Sequence, residues 1–452
     1  MSAQISNLPK GAHQAVTSLM EAAERIEADA PTGEEAALRR SAREQFTALG
    51  LPTRHLEAWR YTDLAGALQG PLPPLASVQD ARLDETVDEA LELLEKSTKQ
   101  MCAHAESELS ATIVFVDGRF SARHSKLEKL PKSIRFQAGS APLGNENVDD
   151  DVLGSLNLSL ASDGFELVVE PEAVEEKFVN LVFLSAKEDP CSMHSRAKVH
   201  LGECASLKLL ETHMRVNDAP SLQTHLTDVV LGRCATLEYA CIEENSPQHV
   251  SLARMNARLE HKAQFHCAVL GTGGKLVRQE YNILLEGSGA NAKFGALSLA
   301  GAGETRDINV LLHHKVPECF SNTLVKNVLT GDARGVFQGL VRVDPGAAHS
   351  DGRQTSKALL LGRDASMNAK PELEVFNDDV ECAHGSAIGE LDRDALFYLR
   401  ARGISENDAR QLLTKAFLSD VLERIEDEVL QIEAETHAVR WLENVLAQTQ
   451  KA

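Results

Sequence analysis

Leu201-Gly-Glu-Cys-Ala-Ser-Leu207 returns as Leu231-Gly-Arg-Cys-Ala-Thr-Leu237, then as Leu259-Glu-His-Lys-Ala-Gln-Phe265 and Leu285-Glu-Gly-Ser-Gly-Ala-Asn-Ala292. The starts lie 30, 28 and 26 residues apart, and fainter echoes follow at Leu329-Thr-Gly-Asp-Ala333 and Leu361-Gly-Arg-Asp-Ala365. Each copy reads as a strand, a tight turn of small or polar residues, and another strand, which is what one coil of a β-solenoid needs. A unit of this size cannot bury its apolar face alone, whereas stacked coils can. The spacing therefore predicts a β-helix from about Phe165 to Val380. A propeller is the weaker alternative, because its blades need a longer repeat.

The flanks have a different texture. From about Ala12 to Leu49 the chain is rich in Ala, Glu and Leu at helical spacing, is interrupted by Gly50, Pro52 and the Pro-rich run Gly70–Leu75, and turns helical again near Asp84–Lys96. Strand-like alternation begins with ATIVFVDGRF (Ala111–Phe120), where Asp117-Gly118 is a hairpin-type turn. Beyond the repeat, Asp392 and Ser405 are placed to cap two helices. Leu391, Ala395, Leu396 and Leu399 form the stripe of the first, which ends at Gly403. Ala409, Leu412, Leu413, Ala416, Phe417, Val421, Leu422 and Ile425 form the stripe of the second. The expected fold is mainly β with helical ends: a right-handed parallel β-helix-like solenoid core at 164–385, an N-terminal helical unit with a small strand module at 1–163, and a C-terminal helical domain at 386–452.

Bulk properties narrow the function. The 452 residues suffice for two or three domains and a sizeable core. A formal charge of −21 argues against nucleic-acid or anionic-membrane partners, which need clustered Lys and Arg. The N-terminus lacks a basic region followed by an apolar run, and no window approaches 18 apolar residues, so the expectation is a cytoplasmic protein. Eight cysteines without a Cys-x-x-Cys encode neither a disulfide framework nor a zinc ribbon. Gly271-Thr-Gly-Gly-Lys275 lacks phosphate-loop spacing, and no nucleophile elbow or His-Glu-x-x-His occurs. A polysaccharide-active β-helix would line acids along one groove, yet Asp228, Glu238 and Glu260 do not recur at one position of the repeat.

The chemistry concentrates at Cys382-Ala-His384. On a strand these two side chains point the same way, about 6 to 7 Å apart, within reach of one metal or cluster. Sulfur plus imidazole suits iron or zinc, but two ligands are half a site, and a buried Cys beside a hydrogen-bonded His is the plain alternative. Glu390 is near enough in sequence to help. Cys191-Ser-Met-His194 follows Pro190 and reads as a surface loop. His313 and His314 face opposite ways on a strand, and His349 with Asp351 sits among turn residues. Cys204, Cys234 and Cys267 recur in the repeat and read as corner fillers of the core. Leu396, Phe397, Tyr398, Leu399, Arg402, Gly403 and Ile404 are more apolar and aromatic than a cap demands, and aromatic and Arg side chains are typical interface anchors. Trp59 and Tyr61, in Leu56–Leu64, have no evident role beyond anchoring the N-terminal unit.

Asp378–Ile404 (DDVECAHGSAIGELDRDALFYLRARGI) resembles the C-terminal signature of the SufB/SufD family, scaffold subunits of the Suf iron–sulfur cluster assembly machine, and the match extends upstream through Lys370–Glu374. His384-Gly385 resembles the SufD branch, where SufB tends to carry His-Glu-Ala, as does LPTRHLEAWRYTDL (Leu51–Leu64). The resemblance implies a β-helix core and a non-catalytic scaffold. Its C-terminal strands would pair with SufB and its C-terminal helices would dock the SufC ATPase, whose ATP-driven closure shifts the SufB–SufD interface. It further implies a transient Fe–S cluster shared with SufB, with His384 as a ligand, and a reduced flavin in the complex. A SufB-type scaffold is the nearest alternative, and a homodimer through the same end strand is the form lacking SufB.

Overall fold

The computed structural model describes residues 8–30, 32–75, 85–94, 109–139, 141–142, 151–423 and 428–449. The N-terminal part contains α1 (Lys10–Ala28), α2 (Gly33–Leu49), the short α3 (Leu64–Ala67) and a helix over residues 85–94. Next come β1 (Leu109–Val116), β2 (Arg119–Phe120), β3 (Ile134–Ala138) and α4 (Val152–Leu160). The expected helical run from Ala12 to Leu49 is thus two helices, the second capped by Thr32, whose side chain accepts from the Glu35 amide. The turn at Asp117-Gly118 forms as expected, both residues having positive φ, and joins β1 to β2 antiparallel.

Sixteen strands follow: β4 (Asp163–Val169), β5 (Val174–Ser185), β6 (Cys191–Leu201), β7 (Ser206–Arg215), β8 (Ser221–Leu231), β9 (Thr236–Asn245), β10 (His249–Leu259), β11 (Gln264–Gly273), β12 (Leu276–Leu285), β13 (Asn291–Ala300), β14 (Thr305–His314), β15 (Phe320–Leu329), β16 (Arg334–Val343), β17 (Asp351–Leu360), β18 (Ser366–Val375) and β19 (Glu381–Gly389). Even-numbered strands stack in parallel from β4 to β18 in one sheet, and odd-numbered strands from β5 to β19 in the other. The chain alternates between sheets, giving the parallel β-solenoid expected from the repeat, with eight coils. Inward side chains from both sheets fill one continuous core, including Val199, Val229, Leu237, Phe265, Ile283, Phe294 and Phe337.

The repeated phrase marks one edge of this solenoid. At seven of its eight turns, all but the last before β19, one residue takes a left-handed φ: Glu172 (62°), Cys204 (55°), Cys234 (56°), Lys262 (56°), Gly289 (74°), Glu318 (61°) and His349 (58°). The amide of Cys204 donates to the carbonyl of Arg233 one coil on, at 2.7 Å, and Cys234, Lys262, Glu318 and His349 repeat the bond to His261, Ser288, Ala348 and Asp379. The turns thus stack as a hydrogen-bonded column. Cys204 is consequently exposed and Cys234 half-exposed at the column's surface, contrary to the expected core role; the adjacent Ala205 and Ala235 enter the core instead, while Cys267 is buried there as expected. The echoes at Leu329 and Leu361 belong to the opposite edge, between β15 and β16 and between β17 and β18. On the first edge the phrase continues as Lys315–Cys319 and Asp344–Ser350.

Two helical layers cover the outer faces. Leu19 and Phe46 of α1 and α2, with Leu153 and Leu156 of α4, pack on Leu222, Leu226, Val250, Leu252 and Leu276 of the even sheet. After β19 come α5 (Arg393–Ala401), α6 (Glu406–Leu422) and α7 (Glu428–Thr449). Leu418, Val421 and Leu422 of α6, with Ala434 and Ala438 of α7, pack on Leu270, Leu297, Leu324 and Val328 of the odd sheet. Leu412 faces solvent instead of joining the expected stripe, and Ile425 lies outside the described residues. The segment Leu56–Leu64 binds the outer face of the even sheet. Glu57 pairs with Lys370, the carbonyl of Ala58 accepts from Gln338, Trp59 covers the Arg278 guanidinium at 4.0 Å, and Thr62 donates to Asp307. It thereby straps four successive coils together. Cys191-Ser-Met-His194 is no surface loop but the buried start of β6, its outer side held where the Ser192 amide donates to the Pro73 carbonyl. Among the described residues no helix is long and apolar enough to cross a membrane.

Candidate functional site

The two ends of the solenoid differ. At the first, Phe115, Phe120, Phe136 and Phe165 form a ring cluster with centroids 5.5–6.1 Å apart, which plugs the core. At the other, β18 and β19 are the last members of their sheets. β19 runs unbroken through Gly385 and ends at Gly389.

Cys382 and His384 sit on β19 opposite Gly352 and Gln354 of the preceding coil. Gly352 and Gln354 are inward-facing, so the two candidate ligands also share the inward face, over a coil that has no successor. Cys382 is half-buried against the core, and burial pushes its thiol above the ordinary range. Its sulfur rests over bare backbone: a Cβ added to Gly352 would meet Cys382 Sγ at 3.5 Å and Val341 Cγ1 at 2.7 Å. His384 is exposed, and its ring makes no hydrogen bond to any described residue. Glu390 is not brought to this pair. It lies six residues beyond His384, ~20 Å along an extended chain, and its carboxylate is 3.4 Å from Arg393.

Beyond β19, Asp392 accepts from the amides of Asp394 and Ala395 and starts α5. Gly403, at φ +90°, closes the turn after it, and Ser405 caps α6. No residue of α5 is buried: Phe397 is 74% exposed and Tyr398 57%, with the Arg402 guanidinium 5.1 Å from the Tyr398 ring. Leu396, Leu399 and Ile404 are half-buried. By contrast α6 is fixed to the solenoid, for the buried Lys326 ammonium reaches the Phe417 carbonyl at 2.5 Å and Asp420 at 2.7 Å.

A second concentration of functional groups lies inside the solenoid and was not singled out by motif reading. Glu211 and His213 on β7 and Cys241 on β9 all face inward, and the register sets Glu211 directly beside Cys241. Their ligand atoms lie within 4.8 Å of one another. His213 Nε2 is 2.6 Å from Glu211 Oε1, and Gln223 Nε2 is 2.9 Å from His213 Nδ1. Burial alone would raise the Glu211 carboxyl, but the His213 hydrogen bond and the two nearby imidazoles hold it below the ordinary range. Burial likewise opposes charge on His213, yet Glu211 wins and raises it. Burial drives Cys241 well up, so its thiol is protonated, and brings His225 down to about 4. The available signal was parity: Leu207 and Leu209 fix the inward face of β7, and positions 211 and 213 continue it with acid and imidazole.

A family model described as "SUF system FeS cluster assembly, SufBD core domain" matches residues 183–417. The chain is similar to the iron–sulfur cluster assembly protein SufD of Escherichia coli, with 28% identity over 86% of this chain and 88% of that protein. It is also similar to an iron–sulfur cluster assembly SufBD family protein of Synechocystis, at 25% identity over 86% of each chain. A third relative is Protein ABCI7, chloroplastic, of Arabidopsis thaliana, at 25% identity over 88% of this chain and 84% of that one. Eight parallel coils, an uncovered last strand with Cys382 and His384, and a family match over more than half of the length together identify the chain as a SufD-like member of the SufB/SufD family of iron–sulfur cluster assembly proteins.

Proposed function

We propose that this chain is a cytoplasmic, non-catalytic scaffold subunit that pairs with a SufB subunit through β18 and β19 and supports assembly of an Fe–S cluster at the junction. The carrying observation is the unpaired edge of β19, which presents an exposed imidazole and a half-buried thiol at the open end of the solenoid. Unpaired strand edges accept another chain by adding backbone hydrogen bonds. The nascent cluster is the cargo, and the pair fits it: imidazole and thiolate are both iron ligands, and the missing ligands would come from the partner. The raised Cys382 thiol must lose its proton on binding iron, whereas His384 is ready to ligate when neutral. Glu390 remains with Arg393.

The C-terminal unit, 386–452, is proposed to carry the SufC ATPase, with Leu396, Phe397, Tyr398, Leu399, Arg402, Gly403 and Ile404 in the contact. Phe397 and Tyr398 are exposed on a helix with no buried residue, whereas neighbouring α6 is locked to the odd sheet. Force applied at α5 would therefore pass through α6 to the odd sheet at β13 and β15.

The test is co-expression with SufB and SufC, purification through this chain, and anaerobic reconstitution with iron and sulfide. His384→Ala should leave subunit content unchanged and reduce cluster absorbance about tenfold or more. Undiminished absorbance would remove His384 from the ligand set, and a chain that purifies without partners would overturn the scaffold reading.

A further inference from the structure

We propose that Glu211, His213 and Cys241 form an interior site for one divalent transition-metal ion of the zinc or ferrous class, independent of the terminal strand. Three observations converge on it. Glu211 and Cys241 are lateral neighbours in a parallel ladder and His213 is two residues along the same strand, so the donors sit on rigid elements with their ligand atoms already within 4.8 Å of one another. The set combines carboxylate, imidazole and thiol, a mixture that zinc and ferrous iron accept and calcium or magnesium do not. The residues border a void of about 20 Å3, the space of one small ion or water.

The surroundings are those of a ligand shell. Tyr239 lies beside the Glu211 carboxylate and helps to hold it ionised, and Gln223 fixes His213 from Nδ1. Rotation of the Gln223 amide presents its oxygen to an Nδ1–H and frees Nε2 for the metal. His225 Nε2 lies 3.7 Å from Glu211 Oε1 and 3.0 Å from the Thr227 hydroxyl, a further imidazole at the rim of the triad.

A divalent ion held by the Glu211 carboxylate and a Cys241 thiolate beside a neutral His213 imidazole would have its two charges matched by its own ligands, as the low-dielectric interior requires. A buried ion pair alone would explain Glu211 and His213, but it gives no role to a thiol whose ligand atom completes the triangle.

The experiment uses the full chain carrying Cys382→Ser, His384→Ala and Cys204→Ser, which disarms the terminal pair and the neighbouring turn thiols of Cys204 and Cys234. Metal-stripped protein is titrated with Co2+ anaerobically, and is also refolded from urea in Co2+ so that burial cannot block entry. One equivalent should bind with a thiolate-to-cobalt charge-transfer band and be displaced by Zn2+. Cys241→Ser should abolish that band while leaving the metal-free circular dichroism unchanged. Should Cys241→Ser misfold, Glu211→Gln, which keeps the shape, must weaken Co2+ binding at least tenfold. Absence of a thiolate–cobalt band by both routes, or its survival in Cys241→Ser, overturns the site.

Discussion

Gly271, on the inward face of β11, leaves room that a side chain of β14 occupies: a Cβ there would overlap the Arg306 guanidinium. Arg306 is buried, and its Nη1 is 3.3 Å from Glu243, the residue laterally adjacent to His213. Gly271→Ala should therefore push the guanidinium off Glu243 and leave two buried charges unmatched, at a cost of about 3–5 kcal/mol. Urea unfolding measures it; wild-type stability in the variant would mean that Arg306 has a second seat. Nothing in Gly271-Thr-Gly-Gly-Lys275 announced this, because the requirement is set by a residue thirty-five positions away. Cys382 and His384 were legible for the opposite reason. Their chemistry depends on a two-residue spacing, which a strand converts directly into a shared face.

At the level of elements, the column of left-handed turn residues is the feature most open to test. A β-branched side chain is strained at positive φ, so Cys204→Val should cost ~1–2 kcal/mol, whereas Cys204→Gly should be nearly neutral. A thermal melt separates them, and equal melting temperatures would remove backbone conformation as the reason for small or unbranched residues there. The repeat was readable because strand length is nearly constant and turn chemistry recurs; its echoes at Leu329 and Leu361 misled because both edges use a Leu to end a strand and an Ala to re-enter the core. Cys191–His194 was unreadable as a strand. Burial on both faces removes the alternation by which a strand is recognised, and Pro190 beside it looks like a loop. The role of Leu56–Leu64 was equally hidden, since its partners at 278, 307, 338 and 370 are spread over four coils.

Across the whole molecule, histidines buried in and on the solenoid tie stability to pH. Burial lowers His194 and His249 to about 3, and His225 and His314 to about 4. The unfolded chain takes up these protons near pH 6.5, while the folded chain refuses them until about pH 4 or below. Folding stability is therefore complete above pH 6.5 and declines as pH falls toward 4, each histidine adding up to about 1.4 kcal/mol per pH unit. His213, raised by Glu211, has the opposite sign and its contribution is retained in acid. Urea unfolding at stepped pH should show a shallower decline in His249→Gln than in wild type, and identical slopes would exclude that histidine as a contributor. The difference between the two solenoid ends has a separate consequence, for stoichiometry. The phenylalanine end finishes on the antiparallel strands β2 and β3, whereas the other stops in mid-ladder at β19 with its parallel rungs open. If β19 takes a partner as proposed, that end alone is consumed, so each chain is expected to contribute one such junction to an assembly.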